Sequence, residues 1–221
     1  MDYMLRRCVK LLDSRMEATD GMIGKLYDLY FDDRSMRFRY AVIDTGHWLP
    51  GRRVLIPIES LGMPYYNRPI VRVNLTKDEI RNAPDWNSTK PVYRENMVEL
   101  SFVVPPLCGS PDLGLIALPS THSQEEPDGE NHLRSLKEVR RYAIAGPDGT
   151  LGTVADFVIR SDKWTLAYIL AQPVDTGRSK TAMIEIAELR MIKWEQKTIL
   201  VNTSKQDLLR CPYFVSPVAA G

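Results

Sequence analysis

The feature that most limits what this chain can become is a repeat. Asp20-Gly21-Met22-Ile23-Gly24-Lys25-Leu26-Tyr27-Asp28 returns as Asp148-Gly149-Thr150-Leu151-Gly152-Thr153-Val154-Ala155-Asp156, with the spacing D-G-x-x-G-x-x-x-D kept. Sliding the chain onto itself in that register, without a gap, goes on matching. Tyr40 falls on Tyr168, Ile56 on Ile184, Ile58 on Ile186, Leu61 on Leu189 and Met63 on Met191. Val73-Asn74 falls on Val201-Asn202, Lys77 on Lys205 and Pro84 on Pro212. One short motif matching itself is noise, whereas an ungapped register over roughly eighty positions is duplication. Two copies make a tandem pair and not a solenoid, which needs about three or more stacked units.

Each copy reads as short strands separated by turns. Asp20-Gly21 is a turn signal. Gly24 to Phe31 is aromatic and aliphatic over so short a run that a strand is favoured over a helix. Met36, Phe38, Tyr40 and Val42 alternate with Arg37 and Arg39, the period of a half-exposed strand with the apolar set on one face. Arg52 to Ile58 is a further strand that Pro57 confines to an edge or a bulge, and Ile70 to Leu75 another. Leu5 to Leu12 fits either a first strand or a short helix. Thr76-Lys77-Asp78-Glu79 has the form of a capping box and stops before Pro84. Ser204-Lys205-Gln206-Asp207 repeats the device before Pro212. In the second copy, Val154 to Ile159, Trp164 to Leu170, Met183 to Ile186 and Thr198 to Asn202 are the expected strands. Strands and turns at such spacing suggest a small barrel or sandwich.

Between the copies the composition changes. Pro105, Pro106, Pro111, Pro119 and Pro127 punctuate a stretch whose end is acidic, at Glu125, Glu126, Asp128 and Glu130. This reads as a linker, and it divides the chain into a first domain at 1–103, the linker at 104–131 and a second domain at 132–221. Pro91 to Phe102 fits a short helix closing the first domain.

The net charge of +1 gives no global attraction to nucleic acid or to an anionic membrane. No apolar run approaches the roughly 18 residues needed to span a bilayer. Met1 to Lys10 lacks the apolar core of a signal peptide, so a cytoplasmic location is expected. Cys8, Cys108 and Cys211 form no CxxC pair and are expected as free thiols.

No P-loop, HExxH, G-x-S-x-G or Rossmann fingerprint is present. His47, His122 and His132 have no Cys or His spacing that would converge on a metal, and they are expected exposed or loosely packed. Adjacent acids such as Asp32/Asp33 and Glu125/Glu126 are expected to be solvated turn residues. No catalytic residue, metal or cofactor is therefore assigned. Asp28 and Asp156 stand out because each sits in an otherwise apolar strand, four residues after the second Gly, either as a ligand or partner contact or as a structural carboxylate. A buried carboxylate needs donors, and the preceding Gly turn is the expected source of backbone N–H groups. Arg6, Arg7, Arg37, Arg39, Arg52 and Arg53, with Tyr40 and Trp48 interleaved, invite an RNA-binding reading. Asp28, Asp32, Asp33 and Asp44 in the same region cancel most of that field.

At these residues both halves resemble PRC-barrel domains, the small β-barrel family named after the H subunit of the photosynthetic reaction centre. The resemblance rests on D-G-x-x-G-x-x-x-D, Ala41-Val42-Ile43, the loop Gly46-His47-Trp48-Leu49-Pro50-Gly51-Arg52-Arg53, then Val54-Leu55-Ile56-Pro57 and Ala83-Pro84-Asp85-Trp86. The second copy departs from it. Gln172 to Thr181 has no Gly-aromatic-Leu loop and Glu185 stands at the place of Pro57, although Cys211-Pro212-Tyr213-Phe214 keeps the Pro-aromatic ending. The resemblance implies a mostly β fold: two small PRC-type barrels in tandem, each closed by a short helix. Such barrels occur in the reaction-centre subunit, in a ribosome-maturation factor that contacts a ribosomal protein, and as stand-alone bacterial proteins. They share a binding surface and no reaction.

The resulting expectation is a non-enzymatic interaction or scaffolding protein with a protein partner, a second copy of the chain being one candidate. The alternative is an RNA- or ribosome-associated factor. Asp20, Gly21, Gly24, Asp28, Asp148, Gly149, Gly152 and Asp156 are expected to serve the fold, since both copies keep them. His47, Trp48, Arg52 and Arg53 are the candidate contact surface, because the second copy has Asp175, Thr176, Lys180 and Thr181 there. Trp48 either meets a partner or the neighbouring barrel, or folds back to cap the barrel's open end. Limited proteolysis should cut first within 104–131 and leave two resistant fragments of unequal size. First cuts within 5–86 or 132–214 would contradict the division.

Overall fold

The computed structural model of the chain describes residues 5–64, 69–86, 132–174 and 181–214. The expected linker, the Pro91–Phe102 helix, Cys108, His122 and residues 175–180 lie outside the described residues.

The first half contains β1 (Leu5–Arg7), β2 (Arg15–Ala18), β3 (Gly21–Asp32), β4 (Arg37–Asp44), β5 (Arg53–Pro57), β6 (Ile70–Arg72) and helix α1 (Lys77–Arg81). The second contains β7 (Leu133–Ser135), helix α2 (Leu136–Val139), β8 (Ala143–Gly146), β9 (Gly149–Arg160), β10 (Thr165–Pro173), β11 (Ala182–Glu185), β12 (Leu189–Lys193), β13 (Thr198–Val201) and helix α3 (Lys205–Arg210). The Thr76 capping box forms as expected, with the Thr76 side chain accepting from Glu79 N and Glu79 accepting from Thr76 N. Leu5 to Leu12 combines both readings, strand β1 followed by a 3-10 turn at Cys8–Lys10.

All thirteen strands described belong to one mixed sheet, ordered β12-β13-β8-β9-β10-β4-β3-β2-β6. The described residues are thus mostly β, as expected, and their strands form one sheet that runs through both halves. The halves join at β4 and β10, where Arg37 pairs with Thr165, the same position in each copy. Phe38 N donates to Trp164 O and Leu166 N to Met36 O, both at 2.9 Å. Met36 and Trp164, at φ 56° and 49°, occupy the left-handed region that turns the chain into these strands.

The N-terminal strands are exchanged. β1 lies antiparallel on β9 of the second half, with Arg7 opposite Val158. β7 lies on β3 of the first half, with Ser135 opposite Tyr30. These pairings map onto one another under the sequence repeat, so a pseudo-two-fold axis relates the halves. An open strand edge is a template for pairing, and each half's edge is filled by the other half's first segment. The core is correspondingly shared: Leu11, Leu29, Phe31 and Phe38 form one buried cluster with Leu136, Phe157, Ile159 and Leu166. Phe31 meets Phe157 across the seam at 6.3 Å between ring centroids.

Each element of the D-G-x-x-G-x-x-x-D motif now has a role. Asp20 accepts from Lys77 N at 2.9 Å, and Asp148 from Lys205 N at the same distance, so the first Asp caps the short helix that ends its half. Gly21 and Gly149 turn the chain at φ 130° and 109°. At Gly24 a Cβ would lie 2.0 Å from Asp44 O, and at Gly152 2.0 Å from Gln172 O, so a strand carbonyl closes over the bare backbone.

The last Asp corrects the expected donor. Asp28 accepts from the Ser135 hydroxyl at 2.6 Å and from Lys137 N at 3.1 Å, both on the other half, besides Leu29 N at 2.8 Å. Asp156, whose side chain is wholly buried, accepts from Arg7 Nε at 3.0 Å and Val9 N at 3.2 Å. Arg140 Nε stands 3.4 Å from it. Arg7 and Val9 are the counterparts of Ser135 and Lys137. Each carboxylate thus holds the first segment of the opposite half, not the Gly turn.

Two further expectations change. Phe38 joins the main core, whereas Tyr40 and Val42 line a second cluster with Tyr30 and Leu55, so they do not share a face. The cause is a β-bulge: Phe31 pairs with Phe38 but Tyr30 with Tyr40, leaving Arg39 as the extra residue. The same bulge falls at Ala167 in β10. Asp33 and His132 are not loosely solvated. His132 Nδ1 is 2.8 Å from one Asp33 oxygen and Arg134 Nε 2.7 Å from the other, clamping β7 as it enters the sheet.

Gly24→Ala is expected to destabilise the protein by about 3 kcal/mol, because φ 131° and the Asp44 carbonyl both oppose a Cβ. Gly152→Ala meets a backbone carbonyl in the same way. Denaturation midpoints within error of wild type for both would contradict this packing. Burial raises the Asp28 carboxyl above its ordinary 3.8, and the bonds from Ser135, Leu29 and Lys137 offset only part of that. The folded state therefore keeps this proton where the unfolded chain has released it. The group's contribution is full at low pH and is lost as pH rises through the folded value. The stability of wild type relative to Asp28→Asn should fall as pH is raised from about 4 to about 7. A constant or rising difference would contradict the burial.

Candidate interaction surface

The candidate loop connects β4 to β5 and is built from within. The Asp44 carboxylate accepts from Gly46 N at 3.0 Å. The buried Thr45 hydroxyl lies 2.7 Å from Leu49 O and 2.6 Å from Arg52 O, so it closes the loop from inside. Trp48 N donates to Thr45 O and Arg52 N to Leu49 O, each at 3.2 Å. Gly46 and Gly51 supply φ of 57° and 74°.

The four predicted residues have different fates. His47 is exposed. Trp48 is half-buried against the main core, and the Arg81 guanidinium lies 5.9 Å from its ring centroid. Arg52 is committed internally: it donates to Arg81 O and to Ala83 O at 2.7 Å each, with Asp85 3.9 Å away. Carbonyls at a helix end lack intrahelical partners, and Arg52 supplies them. Arg53 pairs with Asp44 at 3.4 Å and stacks 3.7 Å above the Tyr27 ring centroid.

The structure adds residues to Arg53 that the sequence reading did not single out. Lys137 Nζ lies 3.5 Å from the Tyr27 centroid. Two cations so close cannot share one face of the ring, so Tyr27 is held between them. Trp86 stands 6.3 Å from Tyr27 and 5.3 Å from Arg53. Tyr27 is the extra residue of a β-bulge between the Leu26 and Asp28 pairings, which aims it at the second cluster. The repeat did carry a signal for this group. Under the repeat Tyr27, Arg53, Trp86 and Lys137 fall on Ala155, Thr181, Phe214 and Val9, of which Phe214 alone is aromatic, with the Arg7 guanidinium 5.9 Å from its centroid.

The basic residues are largely occupied. Arg7 is paired with Asp156, Arg39 with Asp32 at 3.3 Å, and Arg52 and Arg53 as above. Arg37 is exposed at the seam. Cys8 is buried, which pushes its thiol well above the ordinary range, and Cys211 is half-buried and also raised by burial. Among the described residues, no three His, Cys, Asp or Glu side chains are grouped to hold a metal. No helix among them is long and apolar enough to cross a membrane.

Comparison with curated proteins gives no match. Against known families, residues 17–81 match the PRC-barrel domain, and this is the segment that runs from β2 to α1 and carries the glycine turn, the bulged strands and the loop just described. The chain therefore carries a domain of the PRC-barrel family.

Proposed function

We propose that the protein is a non-enzymatic interaction module made of two PRC-type units, the second being 132–221, and that the Gly46–Arg53 loop is its contact surface. The observation that carries this is the form of the loop. Thr45, Arg52 and two glycines spend their bonding on holding it in place, and the result presents His47 and the outer edge of Trp48. A fold needs no exposed His beside a half-buried Trp at a clamped loop tip, and the second copy carries no counterpart to either. Trp supplies large contact area at an interface for little loss of conformational freedom. The pairing of Arg7, Arg39, Arg52 and Arg53 with carboxylates and carbonyls supports a protein partner over RNA, because few of these cations are left to neutralise phosphates.

Affinity capture from the native host, comparing wild type with His47→Ala and Trp48→Ala, tests the assignment. A specific protein should be retained by wild type and lost or weakened by about 2 kcal/mol in both variants. His47→Ala should leave the melting temperature unchanged. Undiminished retention by both variants, with Trp48→Ala melting several degrees lower, would make Trp48 a core residue and remove the loop from the contact surface.

A further inference from the structure

The seam between the halves carries an inference of its own. Three sets of contacts there obey one pseudo-two-fold relation. The strands exchange, β1 onto β9 and β7 onto β3. The carboxylates exchange, Asp156 holding Arg7 and Val9 while Asp28 holds Ser135 and Lys137. At the axis, Arg37 pairs with its own counterpart Thr165. This is the pattern of an isologous contact, in which residue i meets j and j meets i. The chemistry has diverged while the geometry has not: one carboxylate faces a guanidinium, the other a hydroxyl.

We infer that this seam is a dimer interface folded into one chain, in which each half's open strand edge is built to receive the N-terminal segment of another unit of the same type. The required partner is specific in form. It offers a three-residue strand followed by one helical turn, with a side-chain donor at the strand's last residue and a backbone N–H two residues later for the Asp. A basic or acidic peptide without that turn satisfies the strand edge but leaves the carboxylate short of donors. The covalent connection between the halves is then dispensable once the chain has folded.

The test uses the full chain with a protease site inserted between residues 104 and 131, cleaved to completion after folding and diluted on a size-exclusion column. Both pieces should elute together at the volume of the uncut protein. Elution of either piece alone overturns the inference. A second arm examines the carboxylate contacts in the cut protein. Arg7→Ala and Ser135→Ala should each speed separation of the pieces by about tenfold or more, since truncating one partner of a buried charged contact acts on dissociation. Asp20→Ala, which loosens a helix cap away from the seam, should leave it unchanged. Equal effects of all three, or none from the first two, would overturn the role given to Asp28 and Asp156.

Discussion

The structure depends on two buried carboxylates meeting donors that belong to the opposite half. Asp156 has no exposed side-chain surface, and an isolated ion there would carry a desolvation cost of several kcal/mol. Arg140 of the same half stands 3.4 Å away, and Arg7 and Val9 add their donors only if β1 crosses to β9. Asp28 imposes the same demand on β7 and α2 through Ser135 and Lys137. Removing one partner of such a contact typically costs about 3–5 kcal/mol, since the other is left buried and unpaired. Apolar packing would tolerate several arrangements of the first segments, whereas the carboxylates single out the exchanged one.

Much of this was legible in the sequence and some was not, for identifiable reasons. The strands β3, β4, β5 and β9 follow from alternation and turn residues, and α1 follows from its capping box. Positions matched by the repeat do equal work: Gly24 and Gly152 admit a carbonyl, Asp20 and Asp148 cap a helix. What alternation could not show is a bulge. One unpaired residue at Arg39 or Tyr27 resets which face every later side chain takes, and nothing in the residue types marks the place. Nor does a repeat reveal whether like elements pair within a copy or between copies. Leu5–Arg7 has the same local character in either case, and only the distant Asp156 decides.

The four residues of the candidate loop do unlike work in the structure. Comparing copies pointed to the loop because His47, Trp48, Arg52 and Arg53 have no counterparts. Yet Arg52 proved to serve the end of α1, and Arg53 a stack with Tyr27, Lys137 and Trp86. Divergence between copies therefore marks where one unit does something the other does not, and that includes local structure as well as contact. The loop lies on one unit only, and the stack joins Tyr27, Arg53 and Trp86 of that unit to Lys137 of the other. A pseudo-symmetric scaffold therefore carries the proposed contact loop once per chain.

The halves share one buried core and exchange the donors of their buried carboxylates, so they are expected to unfold together. Differential scanning calorimetry of the intact chain measures whether they do. A single unfolding transition is expected, with a calorimetric enthalpy equal to its van't Hoff enthalpy. Two resolved transitions, or a calorimetric enthalpy about twice the van't Hoff value, would show the halves unfolding independently and contradict it.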